Sequence, residues 1–329
     1  MRNLTHPRLL PDSAQIIAVA QADHNKSPAG SLRTQEYGAT DAVSHPIVFA
    51  TSDDPLVRTA CTRYCNDWGK NGVGTPPRIR IPRKARPATC CDHHLAVVQP
   101  NGDEIDLWDV HDLPGRDWQT GDTIAFSNGQ NAGSFFSGRG QMGNGLPDNA
   151  ATAGGAALAA GLIRESELAT HSIPHALFML TNCVAKRHVY PAIQDGDTIC
   201  SGAGPHTPFG AHIWFSMSDA AIDALPGSAD TKTVMHALHR YGGYIMDSAQ
   251  GNMDHTDGYV VMLEEGAQFE PFGVPSPMTV YARTHSWSHS PMASRIAPYV
   301  TEYALPDTTG VNWSRYLRIL DVCYAERTC

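Results

Sequence analysis

Hydrophobic and polar residues alternate over several short stretches of the chain, as they do in half-buried β-strands. The clearest example is residues 78–82, in which Ile79 and Ile81 share one face. Residues 46–50 form a second β-prone run, closed by the turn-forming residues 52–55. Runs as short as these predict strands rather than long helices.

Two further runs, residues 94–99 and 104–110, predict a β-hairpin, because the Asn101-Gly102 pair between them favours a tight reversal of the chain. Successive side chains of a strand point to opposite faces. On the return strand, one face receives Ile105 and Leu107, and the other receives Glu104, Asp106 and Trp108.

Helical signals are fewer. The Ala-rich residues 151–163 predict a helix whose small side chains let it lie close to a neighbouring backbone. Residues 164–169 predict a second, short helix. Residues 231–241 predict a third, with Asp230 as its N-cap and Gly242 as its terminator.

The order of these elements predicts a mainly β fold: a single-domain β-sandwich of the jelly-roll or concanavalin-like type with two or three short helices. Residues 121–127 add a strand, and residues 128–149, rich in Gly, Asn, Ser and Gln, predict a long loop. Residues 1–44 have no clean period and predict an irregular N-terminal arm. The sandwich domain is expected over residues 45–329.

Composition narrows the classes of function. Of the 329 residues, 29 are Gly and 23 are Pro, which favours many turns. The net charge of -9 argues against nonspecific nucleic-acid binding, which needs a basic surface. The sequence has no run of about eighteen apolar residues, so it predicts no membrane span. It also lacks phosphate-loop, dinucleotide, HExxH and GxSxG motifs, and no cofactor is expected.

Eight cysteines lie in close groups, which is typical of disulfides in an oxidising compartment. The groups are Cys61 with Cys65, Cys90 with Cys91, Cys183 with Cys200, and Cys323 with Cys329. The sequence leaves the connectivity open, although the adjacent pair is expected to bond to different partners. The alternative for that pair is a metal site with the ligands Cys90, Cys91, His93 and His94. The cysteine pattern therefore predicts a secreted or extracellular protein.

A series of short motifs follows in a fixed order along the chain. They are residues 45–50 (HPIVFA), 52–55 (SDDP), 92–98 (DHHLAVV), 105–108 (IDLW), 151–164, 167–168, 173–177 (IPHAL), 190–192 (YPA), 210–212 (GAH) and 240–247 (RYGGYIMD). Together they resemble a largely uncharacterised family of secreted actinobacterial proteins and actinobacteriophage minor tail proteins. The resemblance implies an extracellular β-sandwich that binds or acts on cell-envelope polysaccharide. The chain departs from the family in its additional cysteines and in His212, where an arginine or similar residue is common.

Cleavage of a glycan by hydrolysis needs two carboxyl groups across the sugar bond, and a lyase needs a base and a group that neutralises a uronate. Asp92 and Asp106 lie on opposite arms of the predicted hairpin, and His94 follows Asp92 by two residues. These three side chains are therefore expected to cluster on one face as catalytic residues. Trp108 shares the side of Asp106 and is expected to stack on a sugar ring. The structural alternative is that Asp92 caps a strand and Asp106 lies on a solvated outer face.

Additional candidates lie outside the hairpin. The catalytic ones are His175 and Asp247, and the substrate-binding ones are Arg240 and Tyr241. Each has a structural alternative. His175 is then a core histidine bonded to a backbone carbonyl, Asp247 bonds a turn, and the pair at residues 240–241 complements a helix dipole.

The residues and the resemblance predict an extracellular carbohydrate-active protein, a hydrolase or lyase that cleaves a cell-envelope polysaccharide. The alternative is a non-catalytic glycan-binding protein, or a structural protein of a virion or cell surface. No resident metal is predicted: His285 and His289 could share a helix face and bind one, but their neighbours favour a loop. The expected partner is a polysaccharide, without nucleic acid, and the arm of residues 1–44 could mediate self-association.

Overall fold

The computed structural model describes residues 7–22, 33–35, 44–64, 76–88, 92–137, 150–181, 183–195, 204–248, 259–264, 269–291, 301–304, 311, 313–326 and 328. Over these residues the protein is mainly β, as the sequence predicts, and its strands form sheets of six, four, three, two and two strands. Each of the three larger sheets mixes parallel and antiparallel pairs.

The elements are short, as the many turn-forming residues lead one to expect. In the first half they are α1 (Ser13–Ala22), β1 (Arg33–Gln35), β2 (Ile47–Phe49), β3 (Leu56–Cys61), β4 (Arg78–Arg80), β5 (Leu95–Val98), β6 (Asp103–Trp108), β7 (Thr123–Phe126), β8 (Asn128–Ser134) and α2 (Glu165–Ala169). In the second half they are β9 (Leu177–Thr181), β10 (Val184–His188), β11 (Thr207–Phe209), β12 (His212–Phe215), α3 (Asp219–Asp223), α4 (Ala229–Arg240), β13 (Gly243–Ser248), β14 (Val260–Met262), α5 (Pro277–Thr284), β15 (Ser288–Pro291), β16 (Thr301–Ala304), α6 (Trp313–Tyr316), β17 (Leu317–Ile319) and α7 (Cys323–Glu326). Short 3-10 turns lie at Phe135–Ser137 and Glu270–Phe272.

The predicted hairpin is confirmed. β5 pairs antiparallel with β6, and the Gly102 N–H donates a hydrogen bond to the Gln99 carbonyl at 2.8 Å to close the turn. Gly102 has a φ of 89°, a left-handed value that strains any residue with a Cβ. The glycine of the Asn-Gly pair is therefore the residue that lets the chain reverse here.

The four-stranded sheet, in the order β2-β5-β6-β8, separates two apolar clusters. One face contributes Leu95, Val97, Ile105 and Leu107 to the smaller cluster, which also contains Val57, Ile79, Ile124, Phe126 and Trp118. Most of the latter belong to the three-stranded sheet β4-β3-β7, so these two sheets pack face to face. The opposite face contributes Ala96 and Val98 to the larger cluster, which confirms the alternation predicted from the sequence.

The larger cluster surrounds the six-stranded sheet β1-β14-β9-β13-β12-β17. Helix α4 buries its apolar stripe there, within one or two residues of the predicted bounds. Its N-cap is Ser228 rather than the predicted Asp230. Asp230 is buried instead, and it accepts hydrogen bonds from the Tyr281 hydroxyl at 2.7 Å and the Trp287 indole N–H at 2.9 Å. The sequence pattern predicted the position of the helix correctly, but Asp230 makes a tertiary contact instead of capping the helix.

The N-terminal stretch is not irregular throughout. Helix α1 lies within it, and its Ile16 and Ile17, each 1% exposed, belong to the larger cluster. The Leu10 N–H donates to the Ile319 carbonyl at 2.9 Å, and the Ile319 N–H donates to the Ser13 hydroxyl at 2.7 Å. The expectation of an irregular arm is therefore wrong for this helix, because buried apolar contacts with the rest of the chain stabilise it.

The Ala-rich residues 151–163 do not form the predicted helix. They run as a series of turns, which we call the strap, and several of their backbone groups bond to neighbouring strands. The Gly154 N–H, for example, donates to the Met246 carbonyl of β13 at 2.7 Å. Gly161 has a φ of 75°, which an α-helix does not accommodate. The expected close approach to a neighbouring backbone is present, but a turn-rich segment makes it.

The predicted loop over residues 128–149 is wrong in its first part. There β8 pairs antiparallel with β6 along the edge of the four-stranded sheet. Gly, Asn and Gln have low intrinsic strand propensity, and it is the pairing with β6 that holds them extended. Residues 138–149 lie outside the described residues.

Two other expectations from the sequence bear on the cellular setting. In the part of the chain that the structure describes, no helix is long and apolar enough to cross a membrane. The cysteines Cys65, Cys90, Cys91, Cys200 and Cys329 lie outside the described residues, so the disulfides stay a prediction.

Candidate functional site

Two histidines precede neighbouring parallel strands of the four-stranded sheet. Ile47 of β2 pairs with Ala96 of β5, and His45 and His94 stand two positions before these partners. The two histidines therefore lie side by side at one end of the sheet. Both are buried, and their ring centroids are 4.7 Å apart in an edge-to-face arrangement.

Each imidazole is held by a backbone carbonyl of the strap. Nδ1 of His45 donates to the Leu158 carbonyl at 2.7 Å, and Nε2 of His94 donates to the Ala151 carbonyl at 2.9 Å. Because a carbonyl oxygen only accepts, these bonds set the tautomers and leave a lone pair on the other nitrogen of each ring. For His94 that other nitrogen, Nδ1, is buried and has no hydrogen-bond partner among the described residues.

Asp247 joins the two histidines from the six-stranded sheet. It follows a bulge in β13, a feature that re-aims a side chain. Its carboxyl group accepts a hydrogen bond from the Ser248 N–H at 2.7 Å, and the backbone of Ala153 in the strap lowers its pKa. One carboxyl oxygen and one ring nitrogen from each of His45 and His94 lie within 4.8 Å of one another. We call these three residues the His-His-Asp cluster.

One backbone segment positions all three side chains of the cluster. The strap supplies the carbonyl of Ala151 to His94 and the carbonyl of Leu158 to His45, and its Ala153 backbone lowers the pKa of Asp247. Its small residues permit the close approach, since a Cβ on Gly154 would lie 2.7 Å from the Met246 carbonyl oxygen. The Ala-rich composition of this segment thus serves to bring main-chain donors and acceptors against functional side chains.

Burial is the largest influence on the pKa values of the three side chains of the cluster. It lowers the pKa of His45 well below its ordinary value, and the neighbouring His94 lowers it further. Burial also lowers the pKa of His94, against the opposing effect of the Asp92 charge. Burial raises the pKa of Asp247 to about 7, and the Asp92 charge adds to this effect. Both imidazoles are therefore neutral at neutral pH.

Asp92 lies on the solvent side of the cluster. It is exposed, and its charge acts on both His94 and Asp247. Its carbonyl accepts a hydrogen bond at 2.8 Å from the residue after Trp108, so Trp108 lies at the same end of the hairpin. The half-buried Trp108 ring is 6.0 Å, centroid to centroid, from the exposed ring of Tyr64. Asp247 is the half-buried member of the cluster, whereas His45 and His94 are buried.

Asp106 lies in a separate, fully buried contact. Its Oδ2 accepts hydrogen bonds from the Gln130 amide at 3.0 Å and from the Leu158 N–H at 3.1 Å. The neighbouring Glu104 accepts the Ala159 N–H at 2.9 Å. Burial raises the pKa of Asp106 well above its usual range, and Glu104 raises it further. Asp106 therefore anchors the strap from the hairpin side and, contrary to the prediction from the sequence, does not join Asp92 and His94. The charge of Asp92 acts instead on His94 and Asp247.

His175 is placed away from the cluster. Its Nε2 bonds to the Glu167 carboxylate and its Nδ1 to the Ala176 carbonyl, both at 2.9 Å. Burial lowers the pKa of His175, but these two bonds outweigh burial and leave the pKa above its ordinary value. Both ring nitrogens are thus engaged in contacts that join α2 to the start of β9.

The predicted substrate-binding pair at the end of α4 is also engaged in other contacts. Arg240 forms an ion pair with Asp219 at 3.2 Å. The Tyr241 carbonyl accepts a hydrogen bond from His212 at 2.9 Å. Neither residue has a described contact with the His-His-Asp cluster.

A further open groove lies between α2 and α5, with a volume of about 490 Å³. Its lining includes Glu165, Tyr281 and His285, and it contains none of the residues predicted to be catalytic. His285, one of the two histidines considered for metal binding, bonds through Nδ1 to the Tyr281 carbonyl at 2.9 Å and stacks on the Tyr281 ring. The side chain of His289 lies outside the described residues.

His45 is the functional residue that the sequence analysis missed. The available signal is that a histidine stands just before each of two short apolar strands, His45 before β2 and His94 before β5. This signal carries meaning only once β2 and β5 are known to be parallel neighbours in the same register.

Comparisons with known proteins do not assign the chain to a family: no family model matches it, and no curated protein or solved structure matches it significantly. The geometry of the site is therefore the basis for a functional assignment.

Proposed function

We propose that the protein is an extracellular carbohydrate-active enzyme that cleaves a cell-envelope polysaccharide by hydrolysis or elimination. One observation supports this most: Asp247 clusters with the imidazoles of His45 and His94, and the charge of the exposed Asp92 acts on both His94 and Asp247. Either reaction needs acid and base groups in one place. Asp92 and the cluster behind it provide them.

The exposed Asp92 is the group best placed to meet a bound substrate. We assign it the role of base or nucleophile, and we assign the cluster behind it the protonation of the leaving group. Asp106 and His175, predicted as catalytic from the sequence, are proposed as structural residues, because Asp106 Oδ2 accepts the buried Leu158 N–H and His175 Nε2 bonds to the Glu167 carboxylate.

The aromatic pair beside Asp92 supports a carbohydrate substrate. Tyr64 and Trp108 offer flat apolar faces on which a sugar ring can stack, at the end of the hairpin where the Asp92 carbonyl bonds to the residue after Trp108. The same pair favours the second candidate, a glycan-binding protein without catalysis, because stacking needs no acid or base.

Two finer assignments belong to this proposal. The jelly-roll or concanavalin-like sandwich over residues 45–329 is supported by the packing of the three- and four-stranded sheets around one apolar cluster. Secretion is supported by the eight cysteines and by the resemblance to secreted actinobacterial proteins and phage tail proteins.

The test is incubation of the purified full chain with a panel of actinobacterial wall polysaccharides, followed by detection of new reducing ends and of unsaturated sugar ends. The wild-type protein is expected to release products from at least one polysaccharide. Asp92→Asn is expected to lower the rate at least about 100-fold, the usual loss when an acid or base is removed. Asp117→Asn, which neutralises another exposed aspartate, is the matched control and should retain the wild-type rate.

Equal activity in Asp92→Asn and wild type would refute the site. Absence of products from the whole panel, together with measurable polysaccharide binding that is lost when Trp108 is replaced by Ala, would favour the glycan-binding alternative instead.

A further inference from the structure

We infer that His45, His94 and Asp247 form a binding site for one divalent first-row transition-metal ion. The sequence alone predicts no metal site with these ligands. The inference shares its residues with the proposed polysaccharide cleavage but does not need it, because an ion can bind at this cluster whether or not a glycan is cut. With an ion bound, Asp247 would be a ligand, and the proton for the leaving group would come from a metal-bound water.

The donor set selects the class of ion. Two imidazole nitrogens and one carboxylate oxygen suit Zn²⁺, Fe²⁺, Co²⁺ or Mn²⁺, whereas Ca²⁺ and Mg²⁺ prefer sites made of oxygen atoms. Three protein ligands leave coordination positions open, as in catalytic rather than structural zinc sites. Asp247 is the half-buried ligand, and the charge of Asp92 acts on it.

The strap provides the outer contacts that metal-binding side chains require. A histidine that binds a metal through one nitrogen generally donates its other N–H to a carbonyl or carboxylate. Both histidines follow this arrangement, with the carbonyls of Leu158 and Ala151 as acceptors. Asp247 is held in turn by the Ser248 N–H at 2.7 Å.

The strongest single sign of a missing partner is Nδ1 of His94. It is buried, and no hydrogen-bond donor reaches it within the described residues. An unsatisfied buried acceptor is unfavourable by about 1–3 kcal/mol unless something binds it. One ring nitrogen of His94 lies within 4.8 Å of a ring nitrogen of His45 and a carboxyl oxygen of Asp247, and a cation bound through Nδ1 would satisfy this orphaned acceptor.

The distances permit binding after a small contraction. The three ligand atoms lie within 4.8 Å of one another. Metal bonds of about 2.0–2.2 Å bring such atoms to about 3–4 Å apart, so side-chain shifts of about 1 Å suffice. Because the three side chains come from two different sheets, binding of an ion would also cross-link the sheets.

The experiment uses the full chain, stripped of metal with a chelator and titrated with Zn²⁺ by calorimetry and with Co²⁺ by absorption spectroscopy. We expect one ion per chain, cobalt bands typical of nitrogen and oxygen ligands, and a rise in Tm with added Zn²⁺. Asp247→Asn keeps an oxygen acceptor for Ser248 and removes the charge, and it should weaken binding at least about 100-fold. His94→Gln should weaken it similarly.

The matched control is His236→Gln. His236 also lies between carboxylates, with Asp219 at 2.6 Å and Asp223 at 2.9 Å, but on the surface and without a second imidazole. Its replacement should leave both the stoichiometry and the affinity at the cluster unchanged.

Three results would overturn the inference: no binding and no Zn²⁺-dependent rise in wild-type Tm, binding that both cluster variants retain, or a sulfur-to-cobalt charge-transfer band indicating cysteine ligands. The Tm measurement needs only the wild-type chain, so it decides the matter even where a variant fails to fold. Metal binding without polysaccharide cleavage would refute the proposed function and leave the metal site standing. Cleavage by the metal-free protein, together with no metal binding, would refute the metal site and leave the proposed function standing.

Discussion

Replacing Asp106 by Ala and by Asn separates a structural role of this residue from a catalytic one. Ala removes the acceptor of the Leu158 N–H and of the Gln130 amide, both of which are buried. Each unsatisfied donor is unfavourable by about 1–3 kcal/mol, so Asp106→Ala is expected to lower the free energy of unfolding by about 3–5 kcal/mol. Asn keeps an oxygen acceptor of the same shape, and it is expected to change this free energy by less than about 1 kcal/mol.

The two variants also differ in their response to pH. Burial first, and Glu104 second, raise the pKa of Asp106 above its ordinary value of 3.8. The folded protein therefore holds a proton that the unfolded chain loses above pH 3.8. This contribution to stability is present at lower pH and is lost as the pH rises towards the folded pKa. Asp106→Asn cannot titrate, so its stability should fall less than that of the wild type as the pH rises.

The assay is urea unfolding followed by circular dichroism at about pH 5 and about pH 8, with the polysaccharide assay run on the same samples. Wild-type stability in Asp106→Ala would refute the anchoring role. A folded Asp106→Asn that has lost polysaccharide cleavage would restore the catalytic role predicted from the sequence.

Two further predictions concern stability. Burial lowers the pKa of His212 to about 4 from its ordinary value of 6.5. The folded state therefore resists a proton that the unfolded chain accepts, and about 3 kcal/mol of stability should be lost as the pH falls from 6.5 to 4. In urea titrations, His212→Asn should lose less stability than the wild type over this pH range. An identical loss of stability in the two proteins would contradict the prediction. Gly161→Ala should lower the free energy of unfolding by about 2 kcal/mol or more, because φ is 75° and a Cβ would lie 2.5 Å from a backbone nitrogen of β9. A melting temperature within about 1 °C of the wild type would show that the strap can relax there.

The sequence correctly predicts the elements that depend on interactions between residues close together in the chain. The hairpin of β5 and β6 follows from an Asn-Gly pair between two alternating runs, and the structure has it with the predicted sidedness. Helix α4 follows from its apolar spacing and terminating glycine. In both cases the residues that determine the element lie within a few positions of one another.

The elements that depend on distant partners were mispredicted. The strap has a helical composition, but its hydrogen-bond partners belong to strands far away in sequence, and those bonds replace the ones within a helix. Likewise β8 is a strand only because β6 lies beside it. Intrinsic propensity is a weak term beside such contacts.

The candidate site shows the same division. Asp92 and His94 are neighbours in sequence and were found together. His45 became visible only through the parallel register of β2 and β5. Asp247 was predicted by itself, but its place beside the two histidines depends on the packing of two sheets. A metal site assembled from three distant segments leaves no spacing motif in the sequence, unlike one whose ligands share a helix.

The backbone of Leu158 links Asp106 to the His-His-Asp cluster. The Leu158 N–H donates to Asp106, and the Leu158 carbonyl accepts the hydrogen bond that orients His45. Asp106 therefore acts on the cluster through the backbone of one residue, without touching it. If this link holds, Asp106→Ala should weaken Zn²⁺ binding while Asp106→Asn should not, since only the former frees the Leu158 N–H. Equal affinities in the two variants, both folded, would show that the strap keeps its position by packing alone.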